Sequence, residues 1–227
     1  MTAAEKLQAV VVIAIDGPAG AGKSTVAKEL ARRLNFSFLD TGAMYRALTL
    51  KALRKKIPLD NEGELVKLAQ KTVVDLREDK EEGLQVFLDG EDVSKEIRSP
   101  EVTNNTFYIA RAPKVRAIAV GWQRAIGQKH SIVAEGRDIG TVVFPEAKYK
   151  FYLDADFEVR TKRRFEELKL QGKEVDLTAL AKDLKERDHK DFTRSTGPLK
   201  RADDAVVIDS TGSTAQKVVE KILEYIK

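Results

Sequence analysis

Five short apolar runs, rich in β-branched and aromatic residues, recur along this chain of 227 residues. They lie at residues 10–15, 36–39, 131–134, 150–154 and 205–209. Runs of this length that are apolar on both faces are typical of strands buried in a parallel sheet. Segments with a helical period of apolar positions separate most of them. The pattern therefore predicts a three-layer α/β fold around a five-stranded parallel sheet.

A different pattern interrupts this alternation in the first half of the chain. Residues 64–70 form a short amphipathic helix, and residues 73–76 and 84–88 alternate with the period of two expected for half-buried strands. Residues 78–83 between them are predicted to be a loop, and Asp89-Gly90 a tight turn. We interpret this stretch as a small antiparallel unit inserted into the α/β core.

A glycine-rich segment follows the first predicted strand and precedes a predicted helix at residues 25–34. Residues 17–24 fit the pattern Gly-x4-Gly-Lys-Ser of a phosphate-binding loop. Such a loop directs backbone N–H groups and a helix dipole at one anion. Lys23 would reach the β and γ phosphates, and the Ser24 hydroxyl would bind magnesium. The alternative is a glycine-rich turn that carries Lys-Ser by chance, but the flanking strand and helix favour a nucleotide site.

The predicted triphosphate site comprises nine consecutive residues. They are Gly17, Pro18, Ala19, Gly20, Ala21, Gly22, Lys23, Ser24 and Thr25.

Composition narrows the classes of function. The 40 basic residues are interleaved with 36 acidic ones for a net charge of +4, which suits small phosphorylated ligands and gives no sign of a nucleic-acid surface. Without cysteine, disulfides and cysteine metal sites are excluded. His130 and His189 lie too far apart in sequence to suggest zinc. No run approaches the ~20 apolar residues of a membrane span, so we expect a cytoplasmic protein with no membrane partner.

Two further strand ends carry candidate ligand residues, because ligands of open parallel sheets bind beyond the carboxyl ends of the strands. Thr41 and Arg46 follow the second strand, although Thr41 could be only a helix cap and Arg46 only a solvated side chain. Arg137 and Asp138 follow the third, with glycines on either side that suggest close approach to a ligand. The alternative for this pair is a solvated turn with a local ion pair.

A helix near residue 180 changes character along one stripe. The stripe runs through Leu177, Leu180, Leu184, Arg187, Asp191 and Arg194. An inward face that is first apolar and then charged predicts a helix that leaves the core and overhangs a polar cleft. The alternative is a set of intrahelical ion pairs worth a few tenths of a kcal/mol. A basic cluster at residues 160–164 is likewise either a phosphate clamp or a solvated face paired with Glu166 and Glu167.

The candidate cations exceed what one triphosphate needs. They are Lys23, Arg46, Arg116, Arg137, Arg187 and Arg194. If they converge, they could hold two phosphorylated ligands, and phosphoryl transfer is catalysed mainly by positioning and charge neutralisation. The competing hypotheses are a GTPase-like switch and a regulatory nucleotide-binding module. The chain lacks the Asn-Lys-x-Asp motif of a GTPase, and a regulatory module does not explain charged residues at three separate strand or helix ends.

The sequence resembles bacterial cytidylate kinases, of the nucleoside monophosphate kinase family, over essentially its whole length. The motifs that carry the resemblance are residues 15–24, 39–46, 136–145 and 185–199. The resemblance implies transfer of the γ-phosphoryl group of ATP to CMP or dCMP, with Mg²⁺. It also implies a core at residues 1–60 and 107–227 with a helical lid near residues 157–172, and an inserted monophosphate-binding unit at residues 61–106. We expect a monomer.

The same resemblance implies roles for particular residues. Thr41 would contact the acceptor nucleotide, Arg46 and Arg137 its phosphate, and Asp138 the cytosine amino group. Arg116, Arg187 and Arg194 would contact the CMP phosphate or the transferring group, Asp191 the acceptor sugar, and Arg163 and Arg164 of the lid ATP. The catalytic set would be Lys23, Arg137, Arg187 and Arg194, with Ser24 at the metal.

Two positions depart from the pattern of these kinases. Glu135 stands where the family commonly has Asp, and Phe107 where it commonly has a small hydroxyl residue. We expect a changed metal or water environment at the first position. At the second, one base contact is lost or is taken over by Thr106 or by water.

Overall fold

The computed structural model describes residues 10–79, 83–170 and 172–226. The strands of the described residues are β1 (Val12–Asp16), β2 (Ser37–Asp40), β3 (Val74–Asp79), β4 (Gly83–Leu88), β5 (Glu91–Asp92), β6 (Ile132–Gly136), β7 (Tyr149–Asp154) and β8 (Val206–Asp209). The helices are α1 (Lys23–Leu34), α2 (Thr41–Arg54), α3 (Glu62–Gln70), α4 (Pro100–Arg111), α5 (Pro113–Gly127), α6 (Phe157–Leu170), α7 (Leu177–Thr193) and α8 (Ala215–Leu223).

The predicted five-stranded parallel sheet is confirmed, in the order β2-β6-β1-β7-β8. The central strand β1 shows why its sequence is apolar on both faces. Ile13 and Ile15 pack in a cluster with α1 and α8, whereas Ala14 faces a second cluster that includes residues of α2 and α5. Helices therefore cover both faces, which gives the three layers. Among the described residues, no helix combines the length and hydropathy required to cross a membrane.

The inserted antiparallel unit is also present, with two corrections. The strands β3 and β4 pair from Val74↔Leu88 to Asp79↔Gly83, so Glu78, Asp79 and Gly83 belong to strands and not to the predicted loop. The charged residues at this end of the hairpin do not show the sequence alternation of a strand, and residues 80–82 lie outside the described part. A third strand, β5, pairs with β4.

The predicted turn at Asp89-Gly90 joins β4 to β5. Asp89 has φ 52° and Gly90 φ 92°, the positive values that a two-residue hairpin turn of this type requires.

The boundary that we predicted between residues 106 and 107 falls inside α4, a continuous helix that begins after the cap Ser99. The helix packs on both α2 and α5. The division of the chain into core, lid and inserted unit stays a prediction.

The stripe along α7 is placed differently from the expectation. The leucine end was predicted to lie in the core, but Leu177 is 50% exposed and Leu184 is the one buried leucine of the three. The charged end is the more enclosed: Asp188 and Arg194 are buried. The reason is that α7 packs mainly on α6 at its start and reaches the sheet's carboxyl edge at its end.

Candidate functional site

Glycines give the loop between β1 and α1 its shape. Gly17, Gly20 and Gly22 all have positive φ, and Gly22 is the N-cap of α1 at φ 88°. A Cβ at Gly17 would collide with the backbone carbonyl oxygen of Leu153 on β7. Only a residue without a side chain fits this close approach, and the loop is thereby held against the carboxyl end of the sheet.

Lys23 is the first residue of α1 and is almost fully buried. Its Nζ donates to the carbonyl oxygen of Pro18 at 2.7 Å. Burial, followed by the charge of Arg137, lowers the pKa of Lys23 from 10.5 to about 7. The loop therefore holds a cation whose charge is poorly compensated, and a bound anion would relieve it.

Ser24 faces the carboxyl end of β6. Its hydroxyl donates to Oε1 of Glu135 at 2.6 Å. The backbone carbonyl of Glu135 accepts from the Thr41 hydroxyl at 2.8 Å. Glu135 therefore lies between the phosphate-binding loop and the start of α2.

Asp16, the last residue of β1, holds the turn that carries Arg137 and Asp138. Its two carboxylate oxygens accept from the backbone N–H groups of Ile139 at 2.7 Å and Gly140 at 2.8 Å. Burial raises the pKa of this carboxyl from 3.8 to about 6, although the two N–H groups oppose the shift. The sequence analysis assigned no role to Asp16. Its position at the end of a predicted strand was the feature that could have identified it.

Arg46 projects from α2 toward the same region. One of its terminal nitrogens donates to Asp40 at 2.8 Å, while its buried Nε has no partner. Asp40 also caps α2 by accepting from Ala43 N at 2.9 Å. Arg46 is therefore not the solvated side chain of the alternative interpretation, and one of its donors is left for a ligand.

Asp138 lies in a buried cluster with two arginines. It forms ion pairs with Arg116 of α5 and, at 3.6 Å, with Arg194 at the end of α7. Arg194 Nε donates to the carbonyl oxygen of Gly197 at 2.5 Å, and a second Arg116 donor binds Ala110 O at 2.9 Å. The carboxylate is thus held rigidly beside the cavity that the three residues line.

Arg137 pairs across the cavity with Asp191 of α7, whose Oδ2 lies 2.8 Å from Arg137 Nε. This pair excludes the alternative of a local Arg137–Asp138 bridge, and Asp191 likewise forms no ion pair with its helix neighbours Arg187 and Arg194. Arg137 and Arg187 lower the pKa of Asp191, although its burial opposes the shift.

Within the described residues, Arg187 has neither a hydrogen bond nor an ion pair. Its pKa is lowered to about 10 by burial and then by Arg137. A guanidinium in a cavity without an acidic partner is suited to bind an anionic ligand.

The basic cluster of α6 divides into three different environments. Arg160 is buried and bonds to Asp188 and to the loop residue Ala19. Arg163 donates to Ser210 O at 2.6 Å and to its hydroxyl at 3.0 Å, and that hydroxyl donates to Ala21 O. Arg164 pairs with Glu167 at 2.7 Å, the surface pairing that the alternative expected. Arg160 was predicted only as a member of the basic cluster and Asp188 was given no role, although both residues bond to the loop.

Phe107 lies on the cavity-facing side of α4, with its ring centroid 5.8 Å from Lys190 Nζ. The neighbouring Thr106 hydroxyl donates to the carbonyl of Val102 at 2.7 Å. Both residues line the cavity, so either can contact a ligand there.

One cavity of about 1820 Å³ joins these groups. The predicted site residues that line it are Ala19, Gly20, Ala21, Gly22, Lys23, Ser24, Thr25, Thr41, Arg46, Arg116, Arg137, Asp138, Arg163, Arg164, Arg187, Asp191 and Arg194. Gly17 and Pro18 do not line it. Small-molecule pockets are commonly about 300–1,000 Å³, so there is room for two ligands. A parallel sheet with this loop after its first strand and a cationic cavity at its carboxyl edge define a P-loop nucleotide-binding protein.

Comparison with known proteins gives the family. The family model of cytidylate kinase matches residues 13–227. A cytidylate kinase of Caldanaerobacter subterraneus subsp. tengcongensis is 49% identical over 96% of this chain and 95% of its own. One of Pelotomaculum thermopropionicum is 51% identical over 93% of each chain. The chain belongs to the cytidylate kinase family.

Proposed function

We propose that this protein transfers the γ-phosphoryl group of ATP to CMP or dCMP, giving ADP and CDP or dCDP. The observation that carries the proposal is the convergence of buried Lys23 with half-buried Arg137 and Arg187 in one cavity, where the charge of Arg137 lowers the pKa of both other groups. Cations in such proximity are stabilised by phosphate groups. Membership of the cytidylate kinase family favours this function over a GTPase-like switch or a regulatory module.

The donor half of the site is the loop at residues 17–25. Its backbone N–H groups and the N-terminus of α1 would bind the β and γ phosphates of ATP, with Lys23 neutralising their charge. Arg163 and Arg164 would extend the ATP site from α6. Arg163 already makes three bonds to the turn after β8, so it reaches ATP only by exchanging some of them.

The acceptor half faces the loop across the cavity. Arg46 and Arg137 would bind the phosphate of CMP, Thr41 and Asp191 its nucleoside, and Asp138 the amino group of cytosine. Uracil presents a carbonyl oxygen where cytosine has the amino group. UMP would therefore place an acceptor against the Asp138 carboxylate, and sites built around such a hydrogen bond discriminate strongly.

Transfer itself requires the acceptor phosphate oxygen in line with the bond from the γ phosphorus to its leaving oxygen. The bond to the acceptor forms as the bond to ADP breaks, and negative charge accumulates on the equatorial oxygens. Lys23, Arg137, Arg187 and Arg194 line the same cavity and would stabilise that charge. None of these groups has to move a proton.

The residues near Ser24 fit a magnesium ion. Ser24 and the buried carboxylate of Glu135 lie 2.6 Å apart and offer the hard oxygen donors that Mg²⁺ prefers. Within the described residues there is no cluster of three or more potential protein ligands, which suits an ion held largely by phosphates and water. When bound, Mg²⁺ would neutralise charge on the phosphates of ATP. Glu135 in place of Asp keeps the carboxylate within reach of the serine.

Steady-state assays with ATP and four acceptors test the proposal. We expect CMP and dCMP to be phosphorylated, with UMP at least ~10²-fold poorer in kcat/KM, because the base must present an amino group to Asp138. AMP carries an amino group on a larger base, so it tests whether the site also selects for the size of the base. Equal turnover of UMP and CMP would contradict the role of Asp138. ATP binding without phosphorylation of any acceptor would instead favour a regulatory module. A monomeric state and a cytoplasmic location remain expectations from the sequence.

A further inference from the structure

A closed set of hydrogen bonds connects the phosphate-binding loop to α6 and α7. Asp188 accepts from the backbone N–H of Ala19 at 3.3 Å through Oδ1 and from Arg160 Nη1 at 2.5 Å through Oδ2. The same Arg160 nitrogen donates to the carbonyl oxygen of Ala19 at 2.9 Å. All three residues are buried, so these bonds form away from water. Both backbone polar groups of Ala19 are therefore held from outside the loop.

Arg160 is itself fixed in the first turn of α6. Its Nε donates to Ala155 O at 3.0 Å. Its backbone also packs against the loop, since a Cβ at Gly20 would lie 2.9 Å from the Arg160 carbonyl oxygen. The start of α6 is thus pressed against the loop at two successive residues.

Asp188 is the immediate neighbour of Arg187 on α7. Arg187 has no hydrogen bond or ion pair among the described residues, so nothing holds its guanidinium directly. An α-helix is rigid over one turn, with a rise of 1.5 Å per residue. The bond from Asp188 to the loop therefore fixes the backbone position from which Arg187 reaches the phosphates that the loop would bind.

We propose that Asp188, paired with Arg160, is a positioning residue that holds Arg187 over the transferring phosphoryl group. The inference rests on the proposed function and extends it to a pair that contacts neither nucleotide in that scheme. The charges suit this role. A buried carboxylate beside a phosphate site would repel the ligand, and Arg160 neutralises it where it bonds to the loop.

The kinetic test replaces Asp188 with Asn, which keeps the shape of the side chain but removes the charge that pairs with Arg160. We expect kcat to fall ~10- to 100-fold, since misplacement of a catalytic group by 1 Å can reduce the rate ~10²-fold. KM for CMP should change less than ~3-fold, because Arg46 and Thr41 on α2 are untouched. Glu186→Gln is the matched control: it neutralises the exposed carboxylate on the other side of Arg187, and kcat should not change.

A double-mutant comparison separates positioning from a general structural effect. In an Arg187→Ala background, Asp188→Asn should lower kcat less than ~3-fold, since the group that it positions is gone. An equal loss of kcat in both backgrounds would overturn the proposal. So would an unchanged kcat in the single variant.

Thermal stability provides a second way to distinguish a positioning role from a purely structural one. Asp188→Ala alone leaves Arg160 buried without its partner and should lower Tm. Asp188→Ala combined with Arg160→Met removes both charges and should recover most of that loss, while kcat stays low. Recovery of kcat together with Tm would show a purely structural pair and overturn the proposal.

Hydrogen exchange of the Ala19 amide tests the bond from Asp188 to the loop without any substrate. In nucleotide-free protein, Asp188→Ala should raise the exchange rate of the Ala19 N–H at least ~10-fold, with the double variant in its place if the single one does not fold. Glu186→Gln should leave that rate unchanged. An unchanged exchange rate of the Ala19 amide in both Asp188→Ala and the double variant with Arg160→Met would overturn the proposal. If the wild-type protein protects the Ala19 amide but phosphorylates no acceptor, the proposed function is refuted while the bond from Asp188 to the loop is confirmed.

Discussion

The two ends of the cavity, which we propose bind the phosphoryl donor and the acceptor, are built in opposite ways. The donor end is one contiguous loop, whose shape comes from glycine backbone and whose cation, Lys23, bonds only to a carbonyl oxygen in the described structure. The acceptor end collects side chains from α2, α5, α7 and the turn after β6, and carboxylates pair with its arginines: Asp40 with Arg46, and Asp191 with Arg137. Most arginines of the acceptor end are therefore held by ion pairs without ligand, and Arg187 is the exception among the described residues. The donor end holds the charge of Lys23, which a bound phosphate would compensate.

The largest effect is expected from Lys23→Met. Turnover of CMP should fall at least ~10³-fold, because no other side chain of the loop can neutralise the phosphates. The unliganded protein should nevertheless have a higher Tm. The pKa of Lys23 is lowered from 10.5 to about 7 in the folded state, so folding disfavours the charged side chain. The resulting loss of stability grows as pH falls below 10.5 and is complete once pH has fallen through 7.

Kinetics and thermal unfolding at pH 6 check both parts. Lys217→Met, which removes an exposed lysine of α8, is the control and should change neither quantity appreciably. A Lys23→Met protein that keeps its turnover would remove the loop from the mechanism. A lower Tm would contradict the contrast between the two ends.

Arg187→Ala comes next, with an expected loss in kcat of ~10²–10³-fold and a change in ATP affinity of less than ~3-fold. Among the described residues, Arg187 is the arginine of the proposed acceptor side that has no ion pair, and its charge would act mainly in the transition state. Measuring kcat and KM separately, with ATP binding by calorimetry, distinguishes the two effects. An unchanged kcat would indicate that Arg187 is simply a solvated residue of α7.

Asp138→Asn should alter the selectivity between CMP and UMP. Asn retains the size of the side chain but offers an N–H to the carbonyl of uracil. The ratio of kcat/KM for CMP over UMP should therefore fall ~10²-fold. Competition of the two acceptors for limiting ATP measures the ratio directly. A ratio equal to that of the wild type would place base recognition elsewhere, for example at Thr106 or Phe107.

The smallest expected effect concerns Asp16, which supports both ends. Its pKa is raised to about 6 when folded, against 3.8 in the unfolded chain. Its contribution to stability is therefore complete below pH 3.8 and is lost as pH rises through 6. Between pH 5 and pH 7, wild type should lose about 1 kcal/mol relative to Asp16→Asn. Denaturant unfolding of both proteins across this range checks the difference, and parallel pH profiles would contradict it.

The same contrast explains what could be predicted from the sequence. The parallel sheet follows from apolar runs such as residues 10–15, whose side chains must be buried on both faces. The loop at residues 17–24 is a local pattern, so its position could be predicted without knowledge of the fold. The hairpin of β3 and β4 was predicted too short, because the charged residues 77–79 do not show the alternation of apolar and polar positions that predicts a strand.

The acceptor end depends on contacts that no local pattern contains. Arg137 could be placed at a strand end, but its partner Asp191 is 54 residues away. Chain proximity suggested only Asp138 as a partner, and that alternative is wrong. The role of Asp188 was even harder to predict, because this residue lies next to the stripe along α7 and not on it. Its bond to Ala19 spans 169 residues, and it follows from the packing of α7 against the loop.

The central claim is that donor and acceptor occupy two ends of one cavity. Calorimetric titration with a bisubstrate analogue, adenosine and cytidine joined through five phosphates, tests it most directly. The account predicts a Kd at least ~10²-fold tighter than that of ATP or CMP alone, because one molecule then engages both ends without a second loss of translational freedom. An analogue that binds no more tightly than ATP would contradict the account.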